Sequence, residues 1–223
     1  MSRKAVVIMS GGLDSVTTAH IAATENDEVY GLSINYGQTL VKELDYARYN
    51  AIKLEFKKHI IAKVPINEIG AGALIDGTEI PKDRGLHEMT KEIPSTYITF
   101  RNGILLSLAI AFAEAHDCTK IYGGWNVIDY SGYPDCRKEF LEAMEKAAQI
   151  GTKAGVTGQL ITIEAPLLFL NKRDIIRKGL KLGVDYSHTW SCYVGGEHPC
   201  GECDSCKLRQ QGFAELGMVD PCQ

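Results

Sequence analysis

Ala5-Val6-Val7-Ile8-Met9 is an unbroken apolar run rich in β-branched side chains, and it ends at Ser10-Gly11-Gly12-Leu13-Asp14-Ser15. An apolar run without polar alternation is the pattern of a strand buried on both faces, as in a parallel sheet covered by helices. The glycine pair breaks the strand, and Asp14-Ser15 opens a helical stretch to about Ala23. In a doubly wound sheet, the turn from strand to helix is where ligands collect. Two glycines let the backbone approach an anion with no Cβ in the way, and the helix start adds free N–H groups and a positive dipole end. Ser10 and Ser15 add hydroxyl donors. A glycine pair also serves merely to turn a chain, but its place behind a buried strand favours a phosphate cradle. The turn lacks a Walker lysine, and no G-x-G-x-x-G string accompanies it.

The remaining pattern alternates strand and helix. Strands are predicted at 28–34, 58–62, 120–125 and 159–164, and helices at 41–54, 102–115 and 136–154. A further helix starts at a capping Asn171 followed by Asp174 and runs to Leu182, and a last one lies near 207–216. Residues 65–95 show no period, which inside a compact domain marks a functional loop or lid. The expected fold is α/β, a doubly wound parallel five-stranded sheet with helices on both faces. The expected organisation is a nucleotide-binding domain over 1–188 and a cysteine-bearing extension over 189–223 in the same globule.

The chain has 223 residues and a formal net charge of −4. That balance argues against nucleic acid as the main substrate, because a phosphate backbone asks for a basic footprint. The run at 5–9 is too short for a signal-peptide core or a membrane span, so a cytoplasmic protein is expected, with no membrane partner. Four of the seven cysteines, Cys192, Cys200, Cys203 and Cys206, fall in a C-x7-C-x2-C-x2-C spacing. Close spacing aims successive thiolates at one ion, and Gly201 supplies a sharp turn between ligands. Four sulfurs with no open position describe a structural zinc site. Disulfides and an iron–sulfur cluster are the other uses of such cysteines. A reducing compartment disfavours the first, and the missing Cys-Pro of the usual cluster run disfavours the second. His198 lies inside the loop as a possible competitor.

The Ser10–Ser15 string is similar to the S-G-G-x-D-S signature of the PP-loop ATP pyrophosphatases. Asp129-Tyr130-Ser131-Gly132-Tyr133-Pro134-Asp135-Cys136-Arg137, then Glu139-Phe140, resembles the 7-cyano-7-deazaguanine synthase family more specifically. So does Thr189-Trp190-Ser191-Cys192-Tyr193 running into the other cysteines. The order Ser10–Ser15, Tyr36-Gly37-Gln38, Arg101-Asn102, Asp129–Arg137, Asn171-Lys172, cysteines matches over nearly the whole chain. Two pairs depart from it: Thr39-Leu40 stand where the family usually has Arg-His, and Thr99-Phe100 where it usually has Pro-Gly.

The resemblance implies an adenine nucleotide α-hydrolase-like fold and an ATP-dependent reaction. 7-Carboxy-7-deazaguanine and ammonia become the nitrile (preQ0) through an adenylated carboxylate and an amide. ATP with Mg²⁺ would be held along Ile8, Met9, Ser10, Gly11, Gly12, Leu13, Asp14, Ser15, Val16, Thr17 and Thr18. Asp14, Ser15, Lys172 and Arg101 would act on the phosphates or the substrate carboxylate. Asp129 and Asp135 would meet the guanine-like edge, with Tyr133 stacked on the base. Zn²⁺ would sit on the four cysteines, and a homodimer is expected. Other PP-loop chemistry, such as a reaction stopping at the amide or sulfur transfer to tRNA, and a non-catalytic zinc and nucleotide module are the competing readings.

Overall fold

The computed structural model describes residues 2–37, 42–84, 93–128 and 132–222. In chain order the elements are β1 (Lys4–Ile8), α1 (Leu13–Glu25), β2 (Glu28–Asn35), α2 (Lys42–Lys53), β3 (Lys58–Lys63), a one-turn α3 (Ile66–Ile69) and α4 (Arg101–Ala115). There follow β4 (Lys120–Tyr122), α5 (Lys138–Gly151), a one-turn α6 (Lys153–Val156), β5 (Thr162–Glu164), α7 (Lys172–Lys181) and α8 (Asp204–Ala214).

The strands form one five-stranded sheet in the order β3-β2-β1-β4-β5. All neighbours are parallel; Val6 of β1 is in register with Tyr30 of β2 on one side and Ile121 of β4 on the other. The chain winds from β1 outward to β3, then crosses back to place β4 on the far side of β1. The carboxyl ends of β1 and β4 therefore bound the crevice where the strand order reverses.

The pleat of β1 explains its unbroken apolar run. Val6 points into a core built with α4 and α5, including Leu106, Ala109 and Leu141. Ala5, Val7 and Met9 point the other way, into a core with Val16 and Ala19 of α1, Ala47 of α2, Ile175 and Ile176 of α7 and Phe213 of α8. Successive side chains alternate faces, and both faces are covered by helices.

Boundaries shift where glycine, proline or a cap intervenes. β4 stops at Tyr122 instead of continuing to Trp125, because Gly123-Gly124 turn the chain towards the crevice. The helix expected over 136–154 begins as a 3-10 turn at Pro134–Cys136, proceeds as α5, and breaks at Thr152. Thr152 then caps α6, its hydroxyl oxygen accepting from the Gly155 N–H at 2.9 Å. β5 starts only at Thr162. Among the described residues, the aperiodic 65–95 segment carries α3 and otherwise turns.

Beyond residue 188, Phe213 of α8 joins the second core, and the cysteine-bearing part forms a small third cluster. Trp190, Cys192, Cys203 and Cys206 are buried against Tyr46 of α2, Ile80 and Tyr193. An antiparallel bridge joins Lys82 to Cys203, and Asp204 pairs with Arg84. Among the described residues no helix is long and apolar enough to cross a membrane.

Candidate active site

A cavity opens at the carboxyl ends of β1 and β4, floored by the turn that follows β1. Ser10, Gly12, Leu13, Asp14 and Ser15 line it, with Gly123 and Gly124 opposite. The turn is held in shape by its own hydroxyls. Ser15 Oγ accepts from the N–H groups of Gly11 at 3.1 Å and Ser10 at 3.3 Å and donates to the Gly12 carbonyl at 3.0 Å. Gly12 is the N-cap residue of α1 and has no side chain to occupy the first turn, leaving the helix start open to an anion.

Two glycines are required by close approach. Gly11 has φ +87°, and a Cβ there would collide with the Glu43 carbonyl at the start of α2. A Cβ on Gly124 would come within 3.0 Å of the Asp14 carbonyl carbon and the Ser15 nitrogen. The β4 end therefore lies flat against the turn that follows β1, backbone on backbone.

Lys172 stands at the first position of α7, just after Asn171, whose side chain accepts from the Asp174 N–H at 2.9 Å. Its ammonium donates to both Asp14 oxygens at 2.8 Å. From the other side, the Trp190 N–H donates to the Gly11 carbonyl at 3.0 Å. Residues 172 and 190, far apart in sequence, thus both bear on this one turn.

The cavity continues to the amino end of α4, lined there by Tyr36, Glu43, Leu74, Arg101, Asn102, Tyr133 and Cys136. Arg101 donates to the Tyr36 hydroxyl at 3.3 Å, and its guanidinium lies 5.6 Å from that ring. Burial pushes the Tyr36 phenol up to about 12 and raises Tyr133 as well, so both stay protonated donors near neutral pH. The Tyr133 hydroxyl pairs with Thr96 Oγ1 at 2.7 Å. Burial also pushes the Cys136 thiol up to about 12, which suits a neutral group accepting from Asn102 Nδ2 at 3.3 Å and not a thiolate nucleophile.

Asp14, Ser15, Lys172, Arg101 and Tyr133 thus share one cavity. Asp135 is not among its lining residues. It is buried, and its carboxylate accepts from the Asn102 N–H at 2.9 Å, serving the start of α4 where Phe100 provides no cap. Asp129 lies outside the described residues. Met9, Val16, Thr17 and Thr18 are buried beneath the turn, Thr17 Oγ1 donating to the Leu13 carbonyl at 2.8 Å. Ile8 borders the cavity directly. Glu43, Gly124 and Arg209, not singled out from the sequence, also line it, as do Trp190 and Ser191 of the 189–193 string. Gly123-Gly124 repeats the strand-then-glycine-pair signal of β1 and was findable. Glu43 reads as an ordinary solvated helix residue and carries no signal.

The family model described as "Queuosine biosynthesis protein QueC" matches residues 4–217. The chain belongs to the QueC family. It is 46% identical over 219 residues to a 7-cyano-7-deazaguanine synthase of Trichodesmium erythraeum, covering 98% of this chain and 99% of that one. It is 48% identical over 225 residues to a 7-cyano-7-deazaguanine synthase of Thermoplasma acidophilum, covering 99% and 92%. Among solved structures, the NMN synthetase from Francisella tularensis superposes with a TM-score of 0.50 at 14% identity, covering 97% of this chain and 78% of that one. That likeness is one of fold.

In this QueC family chain the four extension cysteines converge. The Sγ atoms of Cys192, Cys200, Cys203 and Cys206 all lie within 4.8 Å of one another, with Cys200 and Cys206 4.0 Å apart. A tetrahedral ion with sulfur bonds of about 2.3 Å needs sulfurs about 3.8 Å apart, so the donor set fits a closed four-thiolate metal site. The two departures from the family's usual residues fare differently. Thr39-Leu40 lies outside the described residues. Phe100 takes φ 50°, ψ 28° at the N-cap of α4, a left-handed conformation that glycine adopts freely. Its ring stays half-exposed, edge-on to Phe140 with centroids 5.8 Å apart.

Proposed function

We propose that the chain catalyses the ATP-dependent conversion of 7-carboxy-7-deazaguanine and ammonia into 7-cyano-7-deazaguanine. The full-length relationship to 7-cyano-7-deazaguanine synthases carries this reading. A nucleotide turn opening into a cavity large enough to extend to Arg101 and Tyr133 supports it.

A carboxylate is a poor electrophile, because its charge repels nucleophiles and its oxygen leaves badly. Transfer of AMP to that oxygen releases pyrophosphate and makes AMP the leaving group. Ammonia displaces AMP to give the amide. A second adenylation, on the amide oxygen, lets that oxygen depart and the nitrile form. The protein's work is positioning and charge stabilisation. Gly12 and the first turn of α1 hold the phosphates, with Ser10 and Ser15 fixing the turn. Asp14 and the phosphates would hold Mg²⁺, which offsets phosphate charge. Lys172 would turn from Asp14 to the phosphates as they arrive. Arg101 meets the substrate carboxylate, and Tyr133 borders the base. Glu43, beside Tyr36, offers a carboxylate inside the cavity to the N–H donors of a guanine-type edge. Asp135 acts on that edge only through Asn102, and base contact by Asp129 belongs to the same proposal. Zn²⁺ on the four cysteines holds the extension, and the homodimer is part of the proposal.

Incubation with 7-carboxy-7-deazaguanine, ATP, Mg²⁺ and ammonium, followed by mass spectrometry, tests it. The nitrile and AMP are expected. Folded, zinc-loaded protein that makes neither nitrile nor amide sinks the assignment, and amide alone would confine the chain to the first half of the reaction.

A further inference from the structure

Arg209 of α8 lines the cavity, and a buried arginine beside a phosphate turn is ordinarily an anion ligand. Its hydrogen bonds say otherwise. A guanidinium has five N–H donors. Nε donates to Asp220 Oδ2 at 2.7 Å and Nη2 to Asp220 Oδ1 at 2.9 Å. Nη2 also donates to the Tyr186 carbonyl at 2.9 Å. Nη1 donates to Thr189 Oγ1 at 2.8 Å and to Ser191 Oγ at 3.3 Å. All five donors face protein acceptors, and both side chains of the Arg209–Asp220 pair are only 4% exposed.

Every acceptor besides Asp220 belongs to the segment 186–191, and that segment touches the nucleotide turn and its helix. The Trp190 N–H holds the Gly11 carbonyl, and the Trp190 carbonyl lies 3.3 Å from where a Gly12 Cβ would be. The Tyr186 hydroxyl pairs with Thr17 Oγ1 of α1 at 2.9 Å. The last residues close the clamp: the Cys222 N–H donates to Asp220 Oδ1 at 3.0 Å.

We propose that the Arg209–Asp220 pair is a positioning device for ATP: it fixes residues 186–191, and through Trp190 sets the shape of the Gly11-Gly12 turn, without touching the nucleotide. The inference rests on the reading that ATP occupies that turn. Asp220, which does not line the cavity, then matters to ATP as much as Arg209 does. Asp220→Asn keeps the shape and weakens the pair; Arg209→Lys keeps the charge and loses the fork. Each raises KM for ATP roughly tenfold or more, as displacement of a binding group does, while KM for the deazapurine carboxylate and the zinc content hold at wild-type values. Thr189→Val, which leaves the ion pair intact, shifts KM for ATP in the same direction by less, and stands in where a charge variant fails to fold. Unchanged KM for ATP in the folded, zinc-loaded variants overturns the clamp. So does an effect of Arg209→Lys with none of Asp220→Asn, which would mark direct phosphate contact. Wild-type protein that consumes no ATP removes the functional reading itself, a separate result.

Discussion

The ammonium of Lys172 bridges both carboxylate oxygens of Asp14 at 2.8 Å, directly over the turn between β1 and α1. The two side chains are 8% and 19% exposed, so each neutralises the other in a largely dry place. Removing either side chain deprives the other of this contact, which for a buried pair costs about 3 kcal/mol. Lys172→Met and Asp14→Ala are each expected to lower stability by that order and to reduce ATP-dependent turnover at least a hundredfold. The double variant should be more stable than the sum of the singles predicts. A thermal-melting double-mutant cycle measures this, and simple additivity would contradict the coupling.

Phe100, the N-cap of α4, sits in a left-handed conformation that strengthens the usual N-cap preference for glycine over alanine. Left-handed backbone costs an ordinary residue about 1–2 kcal/mol, and glycine is free of that cost while giving up about 0.5–1 kcal/mol of unfolded-chain entropy. Phe100→Gly loses the edge contact with Phe140 but relieves the strain; Phe100→Ala loses the contact and keeps the strain. The glycine variant should therefore melt at or above the alanine variant. The opposite order would mean that φ 50° at this position is not strained.

His20 is expected to make the protein sensitive to mild acid. It is buried on α1, its Nδ1 faces the Leu182 carbonyl at 3.2 Å, and its Nε2 has no hydrogen-bond partner among the described residues. Burial depresses its pKa below the ordinary value. A histidine whose folded pKa lies below the unfolded value of about 6.5 binds protons better when unfolded, so stability is lost as pH falls through that value towards the folded pKa. Melting temperature should decline between about pH 7 and pH 5.5, and His20→Asn, which keeps a donor for Leu182, should flatten that slope. Equal slopes in the two proteins would exclude His20 as the source. His59, depressed by burial in the same way, should add a slope of the same sign.

Cys203 is fully buried at the start of α8 and bridged to Lys82. Cys203→Ser should release zinc and lower the melting temperature by several degrees, the shift expected for a loss of 1–2 kcal/mol or more in a domain this size. It should also weaken ATP binding, because the cysteine cluster anchors the segment that brings Trp190 onto Gly11. Unchanged zinc content by atomic spectroscopy would remove Cys203 from the ligand set.

What the sequence determined by itself was local or periodic. Ala5–Met9 followed by Gly11-Gly12 specified a doubly covered strand and an open glycine turn at a helix start, because burial on both faces and freedom from Cβ are properties of consecutive residues. The alternation of such segments specified the wound sheet, and the spacing of Cys200, Cys203 and Cys206 specified ligands on one tight turn. What only the tertiary structure decided were partnerships between distant segments. Asp135, which the family resemblance assigns to the guanine-like edge, is seen only in the fold to give its carboxylate to the Asn102 N–H at the start of α4. Arg209 carries no signal in the sequence, and only the fold shows Asp220 and the 186–191 segment taking all its donors. Glu43 and Gly124 enter the cavity only because the strand order reverses between β1 and β4. Such contacts follow from how helices and strands pack across the sheet, and no pattern along the chain encodes which polar atom will meet which.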